Sequence, residues 1–151
     1  MSFVGTILHF VISRSAAKFS LDELQTRLKL SSESVAEHIE KAADTPANRG
    51  QATHLIGIER WGQRRLRSVL GEPLEMGEYD PERPGGDQSL KALSTLFSET
   101  RKKTVALVNE LKKVPGVENK MIPHNDIGNL SVRGWLFYLD SHANRESQNI
   151  K

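Results

Sequence analysis

Apolar residues recur three and four positions apart over four stretches of the 151-residue chain, and each stretch reads as an amphipathic helix. In the first, residues 21–43, Leu21, Leu24, Leu28, Val35, Ile39 and Ala42 keep a near-heptad spacing, and Ser20 with Glu23 makes a capping-box start. Ser31 to Ser34 are expected to bend it. Residues 44–50, with Pro46, Asn48 and Gly50, are expected to connect it to a second helix over 51–70, where Leu55, Ile58, Leu66 and Val69 face inward and Arg60, Gln63, Arg64 and Arg67 outward. Gly71 stops that helix. The third, residues 90–114, carries Leu90, Leu93, Phe97, Thr100, Thr104, Leu107, Leu111 and Val114 on one seam and ends at Pro115-Gly116. The fourth begins near Ser131, after an irregular stretch at 122–129 that shows no hairpin signal, and runs to the C-terminus.

Residues 71–88 hold three prolines, four glycines and no periodicity. A connection of that length can cross a bundle from end to end, since a twenty-residue helix is ~30 Å long. The second and third helices are therefore expected to run parallel. The fold class is all-α, a four-helix bundle with a long crossover between helices 2 and 3, with an irregular α domain as the alternative. Residues 20–151 make the bundle, and residues 1–19 an apolar segment that packs on it.

Residues 3–12 (FVGTILHFVI) are the most apolar run, yet far shorter than the ~20 residues a membrane span needs. Arg14 and Lys18 follow the run instead of preceding it, against the pattern of a secretory signal. A strand or a helix fits equally well. A cytoplasmic protein that spans no membrane is expected. The net charge of +2, from 21 Lys plus Arg against 19 Asp plus Glu, is too small and too interleaved to argue for nucleic acid. The arginines at 60, 64, 65 and 67 read as a solvated helix face. Without cysteine there is no disulfide framework, thiolate metal site or cysteine nucleophile. No phosphate loop, dinucleotide fingerprint, G-x-S-x-G or H-E-x-x-H motif is present.

Chemistry is then left to histidines, carboxylates and hydroxyls. The seam of the fourth helix reads Val132, Trp135, Leu139, His142, Glu146, Ile150, which sets an imidazole and a carboxylate among core positions. His54 on the second helix shares a face with Ile58 and Trp61. A buried carboxylate needs a cation, a hydrogen-bonding partner or water. Two imidazoles and one carboxylate suit Zn, Ni, Fe or Mn. Each residue also has a plainer reading: His54 as a core histidine bonded to a backbone carbonyl, Glu146 as part of a last turn that frays into solvent. Glu59 is a weak candidate general base, placed toward the polar edge. His38 reads as a boundary residue, His124 as loop surface and His9 as packing.

The stretch HLIGIERW at 54–61, the long loop, FSETR with Phe97 and Arg101, and HNDIGNLSVRGWLFYLDSHANRESQNI at 124–150 together resemble the DinB-like (DinB/YfiT-like) family of metal-dependent enzymes. The resemblance covers about residues 21–151. It implies a four-helix bundle with a long crossover, and a divalent metal held by one His on helix 2 and an H-x-x-x-H pair on helix 4. Carried over by position, His54 and His142 are ligands, and Glu146 stands where the third His is expected. The segment before His54, NRGQAT, also lacks the family's Trp-Ser pair. The resemblance implies a hydrolase or a low-molecular-weight thiol transferase acting on a small molecule, and a homodimer. A degenerate, metal-free binding or scaffold protein is the alternative that Glu146 raises.

Overall fold

The Ser20 hydroxyl accepts the Glu23 N–H at 3.1 Å and the Glu23 carboxylate accepts the Ser20 N–H at 3.2 Å, so the capping box starts a helix where the sequence puts one. The computed structural model describes residues 1–151 and is mainly helical: α1 (Phe3–Ala16), α2 (Leu21–Lys41), α3 (Pro46–Arg67), α4 (Leu90–Leu111) and α5 (Val132–Glu146). A two-stranded antiparallel hairpin, β1 (Met121–His124) and β2 (Gly128–Ser131), precedes α5. The apolar run at the N-terminus is α1, capped by Ser2. No helix is long and apolar enough to cross a membrane.

Three expectations need correction. α2 passes through Ser31 to Ser34 without a break. α3 starts at Pro46, because Thr45 accepts the Asn48 N–H at 3.2 Å and a proline in the first helical turn gives up no intrahelical bond. And residues 121–131 pair instead of running irregularly, with Ile122 opposite Leu130 and Gly128 at φ 83° closing the turn.

α3 and α4 run parallel, as Glu59 meets Arg101, Gln63 meets Thr104 and Arg67 meets Glu110 in step. α2 packs against α4 and α5, and α3 against the same two helices. The segment between α3 and α4 turns back along α3: Trp61 Nε1 donates to the Gly77 carbonyl at 2.8 Å, and Arg83 donates to the Gly50 carbonyl at 3.0 Å and to Thr53 Oγ1 at 2.8 Å. Gly57 makes this strap possible, since a Cβ there would lie 2.6 Å from Arg83 Cγ and 3.3 Å from the Tyr79 carbonyl. On the other side, α1 packs on α5 and β2.

Two apolar clusters fill the interior. One holds Leu24, Leu28, Trp61, Leu107, Trp135 and Leu139, and the other Val35, Ile39, Leu55, Ile56, Phe97 and Ala143. On α2, α4 and α5 a polar layer lies between them in sequence, and Glu59 of α3 joins it. Arg101, with no exposed side-chain surface, donates to Glu59 at 2.7 and 3.2 Å, to Ser31 Oγ at 2.7 Å and to the Leu28 carbonyl at 3.1 Å. Thr104 donates to Glu59 at 2.7 Å, and Ser31 to Asp140 at 2.6 Å. The charges are thus hydrogen-bonded from four helices.

Glu59→Ala leaves a buried guanidinium without its partner and is expected to lower the unfolding free energy by ~3–5 kcal/mol. The double variant Glu59→Leu with Arg101→Met is expected to recover part of that loss. Urea titrations at pH 7 measure both, and a single-variant loss below ~1 kcal/mol contradicts the role given to the pair.

Candidate functional site

α3 and α5 run antiparallel, so the face of α3 that carries His54 and Trp61 meets the face of α5 that carries His142, Tyr138 and Trp135. The His54 and His142 rings lie 5.3 Å apart between centroids, tilted by 51°. Two imidazoles that ligate one ion at ~2.1 Å and a near-tetrahedral angle have centroids about 5 Å apart, so the spacing suits a shared cation. His9, His38 and His124 each bond a backbone group, His9 and His38 to carbonyls and His124 to the Asp126 N–H, whereas neither His54 nor His142 has a partner in the protein. One lone-pair nitrogen on each ring is left for a ligand.

Burial is the first cause of their electrostatics. It pushes His142 down to about 4, helped by the His54 ring, and it lowers His54 as well. Glu146 opposes both shifts, which places its carboxylate within electrostatic reach of both rings. Both imidazoles are therefore neutral at pH 7, the form that binds a metal. Glu146 itself is partly exposed, and its oxygens accept from Arg145 Nε at 3.1 Å and Asn149 Nδ2 at 3.0 Å. In this conformation no three His, Asp or Glu side chains close around one point. The last turn does not fray: Ile150 is buried, its carbonyl accepts from His38 at 2.8 Å, and Lys151 exchanges hydrogen bonds with Asn48.

Around the histidines stands an aromatic wall that sequence spacing did not single out. Tyr79, carried by the strap, meets His54 edge-on at 5.0 Å, and Tyr138 lies 5.4 Å from His142. Burial raises the Tyr138 phenol well above its ordinary value, so it stays protonated and able to donate. Helical spacing places Tyr138 one turn before His142. Nothing local marks Tyr79, whose position depends on how the strap returns.

Other sequence expectations fail for one shared reason, the presence of distant partners. Glu59 is buried in the ion pair with Arg101, not at a polar edge, and is no free base. His124 is buried, not loop surface: its ring packs against Trp61, Trp135 and Tyr138 at 4.8–5.1 Å. The arginines of α3 are not a uniform solvated face. Arg65 is buried beneath Trp61 and bonds the Gly77 carbonyl at 3.2 Å and Asn125 Oδ1 at 2.6 Å, while Arg64 pairs with Glu75 and Glu82. They fasten the strap and the hairpin to α3.

No protein-family model, curated protein or solved structure matches the chain. Its function has to be read from the geometry of its own side chains.

His124 offers a pH test of this packing. Its Nδ1 accepts the Asp126 N–H at 3.1 Å, and its Nε2 is buried with no hydrogen-bond partner. Burial pushes its pKa down to about 4, below the 6.5 of a free imidazole. Between those values the unfolded chain binds a proton that the native protein does not, so stability falls as pH falls. From pH 7 to pH 5 the contribution is about 2 kcal/mol. Chemical denaturation of His124→Asn, which keeps an acceptor for the Asp126 N–H, is expected to show a pH profile flatter by that amount; parallel profiles contradict the assignment.

Proposed function

We propose that the protein is a metal-dependent enzyme of the DinB-like kind, with α2 to α5 as its four-helix bundle and the strap as the crossover between the bundle's second and third helices. The observation that carries this reading is the pair of neutral imidazoles, His54 and His142, whose rings lie 5.3 Å apart without a protein hydrogen bond. The donor set fits a divalent cation, Zn, Ni, Mn or Fe, because two imidazoles and the Glu146 carboxylate supply three ligands and leave a position open. A bound ion supplies Lewis-acid chemistry, favouring the ionised form of a water molecule or a thiol.

The chain's own residues do the rest. Burial keeps His142 unprotonated, so its lone pair stays available down to mildly acidic pH. Tyr138, held as the neutral phenol, donates a hydrogen bond to an oxygen of a bound small molecule. Tyr79 on the strap closes the His54 side against water. Glu59 is committed to Arg101 and takes no proton in the reaction. The reaction class is hydrolysis, or transfer to a low-molecular-weight thiol, in a cytoplasmic protein that uses neither nucleic acid nor membrane as its partner. The exposed apolar residues Phe3, Val4 and Phe10 on α1 support a homodimer.

Tag-free protein is expected to carry about one equivalent of metal on elemental analysis, and His142→Ala to carry none. Metal-free protein that takes up neither Zn, Ni nor Mn overturns the reading. One observation favours a degenerate binding or scaffold protein instead, namely that both Glu146 oxygens are already bonded to neighbours on the same turn. Glu146→His separates the two. Under the enzymatic reading the substitution leaves stoichiometry unchanged, and under the degenerate reading it creates uptake that the parent lacks.

A further inference from the structure

Where α1 lies along α5, the two helices leave a groove of about 280 Å³. That is near the lower end of small-molecule sites, roughly 300–1,000 Å³. Its walls are Leu8, Val11 and Ile12 from α1, Ile127 from the hairpin turn and Phe137 from α5. Tyr138 and His142 also line it, so the groove opens onto one of the two facing histidines. The Tyr138 hydroxyl and the His142 ring have no hydrogen-bond partner within the protein. At the rim stands Arg145, one turn beyond Ser141. Its Nε is bonded to Glu146, but its two terminal nitrogens are unpartnered, and its charge is felt at both Tyr138 and His142.

We propose that this groove binds a small carboxylate with an unbranched apolar tail, the tail lying against α1 and the carboxylate meeting Arg145. The apolar walls favour an alkyl chain over a sugar or a nucleotide. A fork of two free N–H donors matches a carboxylate better than a neutral head group. Glu146 is already paired with Arg145 through Nε, and the open face of the guanidinium is the one left for a ligand. α1 therefore serves as one wall of a binding site, to which it contributes Leu8, Val11 and Ile12. The proposal rests on the metal-enzyme reading only in making the histidine pair the place where such a ligand would react; binding in the groove stands without it.

The probe is octanoate, titrated into the full-length protein and followed by amide chemical shifts in two-dimensional NMR, with acetate and 1-octanol as controls. Octanoate is expected to shift residues around Val11 and Phe137 and to bind at least ~10-fold more tightly than either control. Arg145→Gln is expected to weaken octanoate by ~10-fold and leave 1-octanol unchanged. Val11→Trp, at a half-exposed position on the groove wall, is expected to block octanoate while zinc uptake persists. Octanoate binding in a protein that takes up no zinc sustains the groove and removes the metal reading. Normal zinc uptake without octanoate binding, or octanoate binding unaffected by Val11→Trp, overturns the groove proposal alone. So does sedimentation in which Val11→Trp dissociates a dimer while octanoate shifts no resonance, since the groove then belongs to a second copy of the chain.

Discussion

A guanidinium with no exposed surface is costly unless its donors are met, and Arg101 meets that demand by drawing on three other helices at once. Glu59 comes from α3, Ser31 and the Leu28 carbonyl from α2, and α5 joins through the Ser31 to Asp140 hydrogen bond. Sliding any helix by one residue would strand a charge between two apolar clusters. Such pairs contribute little net stability, but their loss is heavily penalised. The layer fixes the relative register of α2 to α5, and every distance at the candidate site inherits that register.

The same layer explains how the carboxylates are divided. Glu59 and Asp140, both buried, are spent on Arg101, Thr104, Ser31 and Arg27. Glu146, one and a half turns beyond Asp140, is left within electrostatic reach of both imidazoles, and Asp80 of the strap within reach of His54. The arginines of α3 are divided in a similar way. They hold the strap on one side of the histidine pair, while α1 closes the other side. A site assembled from a seam between two helices and two accessory pieces can be shaped by the accessories without disturbing the seam.

The helical seams were legible because three-and-four spacing reports burial directly, and the length of residues 71–88 permitted the parallel course of α3 and α4. That His54 and His142 face each other was legible for the same reason, since both lie on those seams, His142 buried and His54 half-buried. The hairpin was not: β1 contains a proline, its strands have four residues each, and Asn125, Asp126 and Ile127 do not make a two-residue turn signal. Pro46 reads as a breaker until Thr45 is seen to cap the helix it begins. Glu59, Arg65 and His124 share a deeper difficulty. Charged or titratable residues read as surface, and only partners well beyond their own helix, or an aromatic cage built by packing, reveal them as interior. Tyr79 belongs to the same class, since its place over His54 depends on the path of an aperiodic segment.

The central claim is that His54 and His142 ligate one cation. X-ray absorption at the K edge of zinc-loaded protein tests it most directly. The account requires a first shell of nitrogen and oxygen at ~2.0–2.1 Å with the outer-shell pattern of two imidazoles, reduced to one in His54→Ala. A shell without imidazole scattering, or one that His54→Ala leaves unchanged, contradicts it.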